Sequence, residues 1–243
     1  MFPKVLIACP QNEIKNYCWE KWSKRVKDFT YPNYDVFIAD NSPTKDNIEL
    51  IKSCGFIAHY TKPHKKGVIE TINASHNACR KYAIDNKYDF MLHLESDVIP
   101  PFDIIEQLMQ HNKQICCGVY DIFHGKQRKL MAQLNEEYDK SVRAYRTVNY
   151  AEEREPLFFN GGLQQVYHAG IGCALIKMDV FDEIKFRVEK GVDFHSDTWF
   201  ATDCYLYNIP IYIDTNIQCS HLNSTWLTVA EDINKFKENG KVR

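Results

Sequence analysis

Four short runs constrain this chain more than anything else in it. Residues 4–9 (KVLIAC), 35–40 (DVFIAD), 56–60 (FIAHY) and 90–94 (FMLHL) are apolar, β-branched or aromatic, and bounded by turn formers, so they read as strands. Between them lie polar, helix-compatible stretches. In the stretch 68–86, Ile69, Ile72, His76, Cys79 and Ala83 recur at three- and four-residue spacing, the mark of one helix face. Strand–helix–strand alternation predicts an α/β fold: a mostly parallel, twisted sheet flanked by helices on both faces.

Later segments extend the pattern less regularly. Residues 115–119, 165–169 and 173–177 read as further strands of the same sheet, 199–208 as a helix, and NIPIYID as a turn with a short strand. The charged stretch 123–162 ends in Asn-Gly-Gly and reads as an excursion or lid, not a separate domain. The tail 229–243 has at most an amphipathic helix. With 243 residues and 44% hydrophobic content, the chain can bury one full core, so a single domain is expected. Its halves divide into 1–120, where strands and helices alternate regularly, and 121–243, where the pattern is less regular.

Charge narrows the partners. The 30 basic residues nearly balance the 32 acidic ones, which argues against a protein held to nucleic acid or membrane by bulk electrostatics. No run of about 18 apolar residues and no export-type leader is visible, so a soluble, cytoplasmic protein without a transmembrane segment is expected. Nine cysteines without a CxxC pair read as reduced, mostly buried thiols, and make a structural zinc site improbable on spacing alone.

The sharpest local feature is HLESDVIPP, with Glu95 and Asp97 directly after an apolar strand. Ligands collect at the carboxyl ends of strands in parallel sheets. Two carboxylates flanking Ser96 can face one volume and hold Mg²⁺ or Mn²⁺ through oxygen, with the remaining positions left to water and phosphate. The plain alternative is a solvated turn capping the next helix. A second strand end places Asp40 and Asn41 where a carboxylate can accept from a ribose hydroxyl or a base N–H, or simply close an Asx turn. Further on, Asp197 precedes a helix and His221 follows a strand. Asp197 reads either as a base toward a hydroxyl or as an N-cap, and His221 as a metal ligand or a surface histidine.

Taken in order, these pieces resemble the nucleotide-sugar-dependent glycosyltransferases of the GT-A fold, closest to their large inverting group. The resemblance rests on Cys9-Pro10, on Asp40-Asn41-Ser42, and on Lys65-Lys66-Gly67 with Ser75-His76-Asn77. It continues through Glu95-Ser96-Asp97, Gly170-Ile171-Gly172 and Ser196-Asp197 to His221. It implies a Rossmann-like GT-A sheet and a UDP-sugar donor held near Pro10, Asp40, Asn41, Lys66, Asn77, Glu95, Ser96 and Asp97. It also implies Mn²⁺ or Mg²⁺ on Asp97, His221 and Glu95, with Asp97 as the last acid of an Asp-x-Asp-like motif. Asp197 would be the base toward the acceptor hydroxyl. Ser196 departs from the family, whose members usually carry a carboxylate there.

The acceptor side is expected to include Gly170 and Gly172, which permit close backbone approach, and the aromatic rings of Tyr167, Trp199 and Trp226 as stacking surfaces. The acceptor itself is open: glycan, lipid, protein or modified DNA, the last served by Lys126, Arg128, Lys129, Arg143 and Arg146. Two other readings stand beside this one. A nucleotidyltransferase uses a similar sheet and acidic ligands, but its usual glycine-rich loop is missing from ACPQNEIKN. A non-catalytic glycan- or nucleotide-sugar-binding domain is disfavoured by Glu95, Asp97 and His221 occurring together, and is kept open by the loss of a carboxylate at Ser196.

Overall fold

The computed structural model describes residues 2–124, 127–133, 137–139, 144–146 and 161–222, with side chains for 2–122, 130–133 and 161–222. In chain order come strand β1 (Val5–Gln11), a 3-10 turn (Glu13–Lys15), helix α1 (Asn16–Lys27), β2 (Tyr34–Asp40), α2 (Asn47–Ser53), β3 (Ile57–Tyr60), α3 (Val68–Asp85) and β4 (Phe90–Leu94). Then follow β5 (Val98–Ile99), α4 (Ile104–Met109), β6 (Ile115–Val119), β7 (Asp121–His124), β8 (Gln127–Leu130), β9 (Ala132–Gln133), β10 (Glu137–Asp139) and β11 (Ala144–Arg146). The chain continues through β12 (Leu163–Val166), β13 (His168–Ala169), β14 (Cys173–Lys177), α5 (Val180–Glu183), α6 (Ser196–Leu206), β15 (Ile211–Gln218) and β16 (Ser220–His221).

Eight of these strands form one sheet in the order β12-β15-β6-β14-β4-β1-β2-β3. β1 is its pivot. Val5, Ile7 and Cys9 face one side, where Trp19, Trp22 and Val26 of α1 and Ile104, Ile105 and Leu108 of α4 cover them. Leu6 and Ala8 face the other, against Cys79 and Ala83 of α3 and Phe200, Ala201 and Cys204 of α6. The side-chain period of two thus buries both faces, which is why these strands read as continuous apolar runs.

β1 pairs in parallel with β2 and β4, β2 with β3, and β6 with β15. The sheet is nonetheless mixed. β14 runs antiparallel to both β4 and β6, and β12 antiparallel to β15. β14 begins at the carboxyl-terminal end of β4, where the Gly172 carbonyl accepts from the Glu95 N–H at 3.0 Å, and so runs back down beside β4. The expected strand 165–169 is also divided. Leu163–Val166 joins the main sheet, whereas His168–Ala169 pairs with Ala132–Gln133.

All nine cysteines are free and eight are buried, as small core residues would be. Among the described residues no helix is long and apolar enough to cross a membrane. The expected tail helix at 229–243 lies outside the described residues.

Trp22 is the test of the α1 face. It is fully buried, stacks on Trp19 at 5.5 Å between centroids and meets Phe56 edge-on. Trp22→Ala is expected to cost about 3–5 kcal/mol through lost burial and a residual cavity. Urea unfolding followed by far-UV circular dichroism measures this as a lower midpoint.

Candidate active site

At β1 the winding of the sheet reverses, with β2 and β3 on one side and β4 on the other. The connections leaving these strands part at their carboxyl ends, and the crevice between them is where α/β sheets take ligands. A cleft of about 700 Å³ opens there. Pro10 and Asn12 from the end of β1, Asn41 from β2, Glu95 from β4 and Asp197 from α6 all line it.

The acidic corner is built around Asp97. Its carboxylate is almost fully buried, with Oδ1 at 3.0 Å from Lys15 Nζ and Oδ2 at 3.5 Å from His221 Nε2. Glu95 Oε2 stands 3.3 Å from the same ammonium. β16 carries His221 into place by pairing with β5, and the Leu222 N–H donates to the Asp97 carbonyl at 2.6 Å. The other ring nitrogen, Nδ1, faces the Asp121 carbonyl at 2.9 Å, fixing the ring with Nε2 toward Asp97. Burial alone would raise the Asp97 carboxyl, but contact with His221 and the Lys15 charge outweigh it and hold it down to about 2. Burial acts against charge on His221, yet Asp97 beside it moves the imidazole upward on balance.

Asp97 and His221 therefore present one carboxylate and one imidazole to a common point. Among the described residues no three His, Cys, Asp or Glu side chains converge on one position. Glu95 is engaged with Lys15 instead of completing such a set.

Asp197 lies on the first turn of α6, one residue after buried Ser196. Its Oδ1 accepts from the Thr198 N–H at 2.8 Å, and Oδ2 is 3.9 Å from Nε2 of buried His168. It remains partly exposed to the cleft. The helix N-cap is His195, so Asp197 is not the cap. Ser196 Oγ meets Nδ1 of His76 at 2.8 Å across the sheet-facing side of α3. The Ser196 hydroxyl is thus committed to an imidazole, and that ring lines the cleft.

Several expected site residues stand elsewhere. Asp40 is fully buried, its Oδ1 accepting from Ser42 Oγ at 2.7 Å and Asn47 Nδ2 at 2.8 Å, which is the structural turn-closing alternative. Asn41 is the strand-end residue on the cleft wall, its Nδ2 donating to Ser75 Oγ at 3.0 Å. Asn77 donates to the Phe186 carbonyl at 2.7 Å and ties α3 to the chain before α6. Lys66 borders a separate, smaller depression beside Val188 and Asp193. Ser96 is buried between the two acids.

The acceptor-side expectations need correction. Trp199 is fully buried with the Arg187 guanidinium 4.2 Å over its ring, and Tyr167 is buried with its hydroxyl 3.2 Å from Thr202 Oγ1, so neither offers a face to a sugar. Gly170 and Gly172 make room for Tyr120 and not for substrate: a Cβ at Gly172 would lie 2.7 Å from Tyr120 Oη, which accepts the Gly172 N–H at 3.0 Å. Trp226, Lys126 and Arg143 lie outside the described residues, as do the side chains of Arg128, Lys129 and Arg146.

Lys15, His168 and Tyr120 enter the site without a sequence signal beyond their residue type. Lys15 and His168 are brought by a turn and a strand far along the chain from the acids they face, and Tyr120 packs under Gly172 and against His221. Only His76 belonged to a quoted motif. A comparison with protein-family models and with curated proteins finds no match for this chain.

Two measurements follow from this geometry. Gly172→Ala is expected to destabilise by about 1–3 kcal/mol through overpacking, since its Cβ would meet Tyr120 Oη at 2.7 Å and ring carbon Cζ at 2.8 Å, and by less in a Tyr120→Ala background, where hydroxyl and ring are both gone; a double-mutant cycle in urea reads the coupling. His76, His93 and His168 are all held below the ordinary imidazole value near 6.5, burial being the first cause in each. A depressed folded value means that the unfolded chain binds more protons below pH 6.5, so these groups cost stability as pH falls from there. His221, displaced upward, acts in the opposite sense. His93→Gln is therefore expected to lower the urea midpoint at pH 7.5 yet flatten its decline toward pH 5.5, recovering up to about 1.4 kcal/mol per pH unit.

Proposed function

We propose that this protein is a metal-dependent glycosyltransferase of the GT-A type. On this reading it moves a sugar from a nucleoside-diphosphate donor, UDP-linked by preference, to an acceptor hydroxyl. The observation that carries the reading is that Glu95 and Asp197 line the crevice where the strand order reverses, with the Asp97–His221 pair joined to that crevice through Lys15. These residues come from β4, α6 and β16, more than 120 positions apart between Glu95 and His221.

Asp97 and His221 suit Mn²⁺ or Mg²⁺ as a two-residue site, since such ions bind through one or two protein ligands and leave their other positions to phosphate oxygens and water. A cation bound there supplies Lewis-acid stabilisation of the negative charge that grows on the leaving diphosphate. The chain's own residues do the rest. Pro10, Pro43 and Pro63 wall the nucleoside end of the cleft, and the amides of Asn12 and Asn41, hydrogen-bonded to each other, hold that wall in place. Asp197, partly open to the cleft, accepts the acceptor's proton as the oxocarbenium-like sugar transfers, in an inverting displacement. His168, neutral and buried behind it, backs the carboxylate without competing for that proton.

The test is titration calorimetry of the protein with UDP and with GDP, in Mn²⁺ and in EDTA. One nucleotide is expected to bind only with the metal, and Asp97→Ala to abolish that binding. Asp197→Asn is expected to leave nucleotide affinity in place while lowering UDP-sugar turnover by about 10²–10⁴-fold. Binding by the wild type with no turnover of any nucleotide sugar would favour a non-catalytic binding domain, the reading that Ser196 keeps open. Absence of nucleotide binding under every metal condition would overturn the reading.

A further inference from the structure

The acidic corner already contains a cation of the protein's own. Lys15 ends the 3-10 turn, and its Nζ lies 3.0 Å from Asp97 Oδ1 and 3.3 Å from Glu95 Oε2. Its backbone is anchored. The Lys15 N–H donates to the Asn12 carbonyl at 2.8 Å, Asn12 Nδ2 donates to Asn41 Oδ1 at 2.7 Å, and the Glu13 N–H donates to Ser42 Oγ at 2.8 Å. The turn is thus tied to the end of β2, and the side chain is aimed across the mouth of the cleft at acids 80 and 82 positions away.

We infer that Lys15 is the resident counter-cation of the Glu95–Asp97 pair, which a divalent ion displaces, and that the released ammonium then binds the donor's diphosphate. The inference rests on the glycosyltransferase reading above. Two carboxylates close together in a half-buried site resist carrying charge at the same time unless a cation offsets it. Lysine offsets it with a point charge on a flexible four-carbon stem, so it can leave without moving the backbone that β2 anchors. A divalent ion on Asp97 and His221 would sit within a few ångströms of Nζ. Repulsion at that distance, in a site of reduced dielectric, favours the ammonium moving out. Lys15 itself lines the cleft, so the displaced group stays in the volume that a diphosphate would occupy.

Displacement predicts opposite changes in two affinities of one variant, Lys15→Met, which keeps most of the stem and removes the charge. Calorimetry with MnCl₂ alone is expected to show about tenfold or greater tightening relative to wild type, because the competing cation is gone. Calorimetry with UDP at saturating Mn²⁺ is expected to show about fivefold or greater weakening, because a phosphate contact is gone. A misfolded variant would weaken both, so the opposed signs exclude damage, and a thermal melt of Lys15→Met checks this directly. Unchanged or weaker Mn²⁺ binding in Lys15→Met overturns the displacement. If neither protein binds Mn²⁺ but both bind UDP, displacement fails while the donor-site reading survives. If Mn²⁺ tightens as expected and neither UDP nor GDP binds, displacement stands and the nucleotide-sugar reading fails.

Discussion

Burial of both faces of β1 is the constraint on which the remaining architecture depends. A strand whose alternate residues all point into apolar surroundings needs a layer of helix on each side. Val5, Ile7 and Cys9 draw α1 and α4 to one face, and Leu6 and Ala8 draw α3 and α6 to the other. Parallel pairing to β2 and to β4 then places the winding reversal at β1, and the reversal makes the crevice. The cleft follows from how the core is covered. Its chemistry follows from which polar residues happen to end those strands.

At that edge the dominant interaction is charge balance. Asp97 is deeply buried, and a buried carboxylate stays ionised only when paired. It has two partners on opposite oxygens, Lys15 and His221, each delivered by a different connection. Asp197, farther along the cleft, is backed by neutral His168 and keeps access to solvent. One acid held firmly ionised and a second left open beside it form a division of labour suited to holding a charged leaving group at one point and taking a proton at another.

Much of the sheet was legible because the apolar runs are short, bounded and rich in β-branched residues; four expected strands coincide with β1 to β4 within a residue or two. Strand direction was not. β14 runs antiparallel to both β4 and β6, a pairing between distant segments that local composition does not encode. The acids of HLESDVIPP and the distant His221 were readable as residue types at strand ends, and the fold brings Asp97 and His221 together. Asp40 had the same kind of signal, yet its carboxylate turns inward to Ser42 and Asn47. Trp199 and Tyr167 misled in a similar way, since an aromatic ring near a site is as useful to the core as to a sugar.

By itself, then, the sequence determined the α/β class, the positions of the early strands and the acidic residues at their ends, because each depends on a pattern local to fewer than about twenty residues. Only the tertiary structure decided the direction of β14, the burial of Asp40, Tyr167 and Trp199, and the placing of Lys15 between Glu95 and Asp97. Lys15 meets its acids across 80 and 82 positions, and the other outcomes turn on which way a side chain or strand packs, so packing and charge pairing act through space there and leave no periodic trace along the chain.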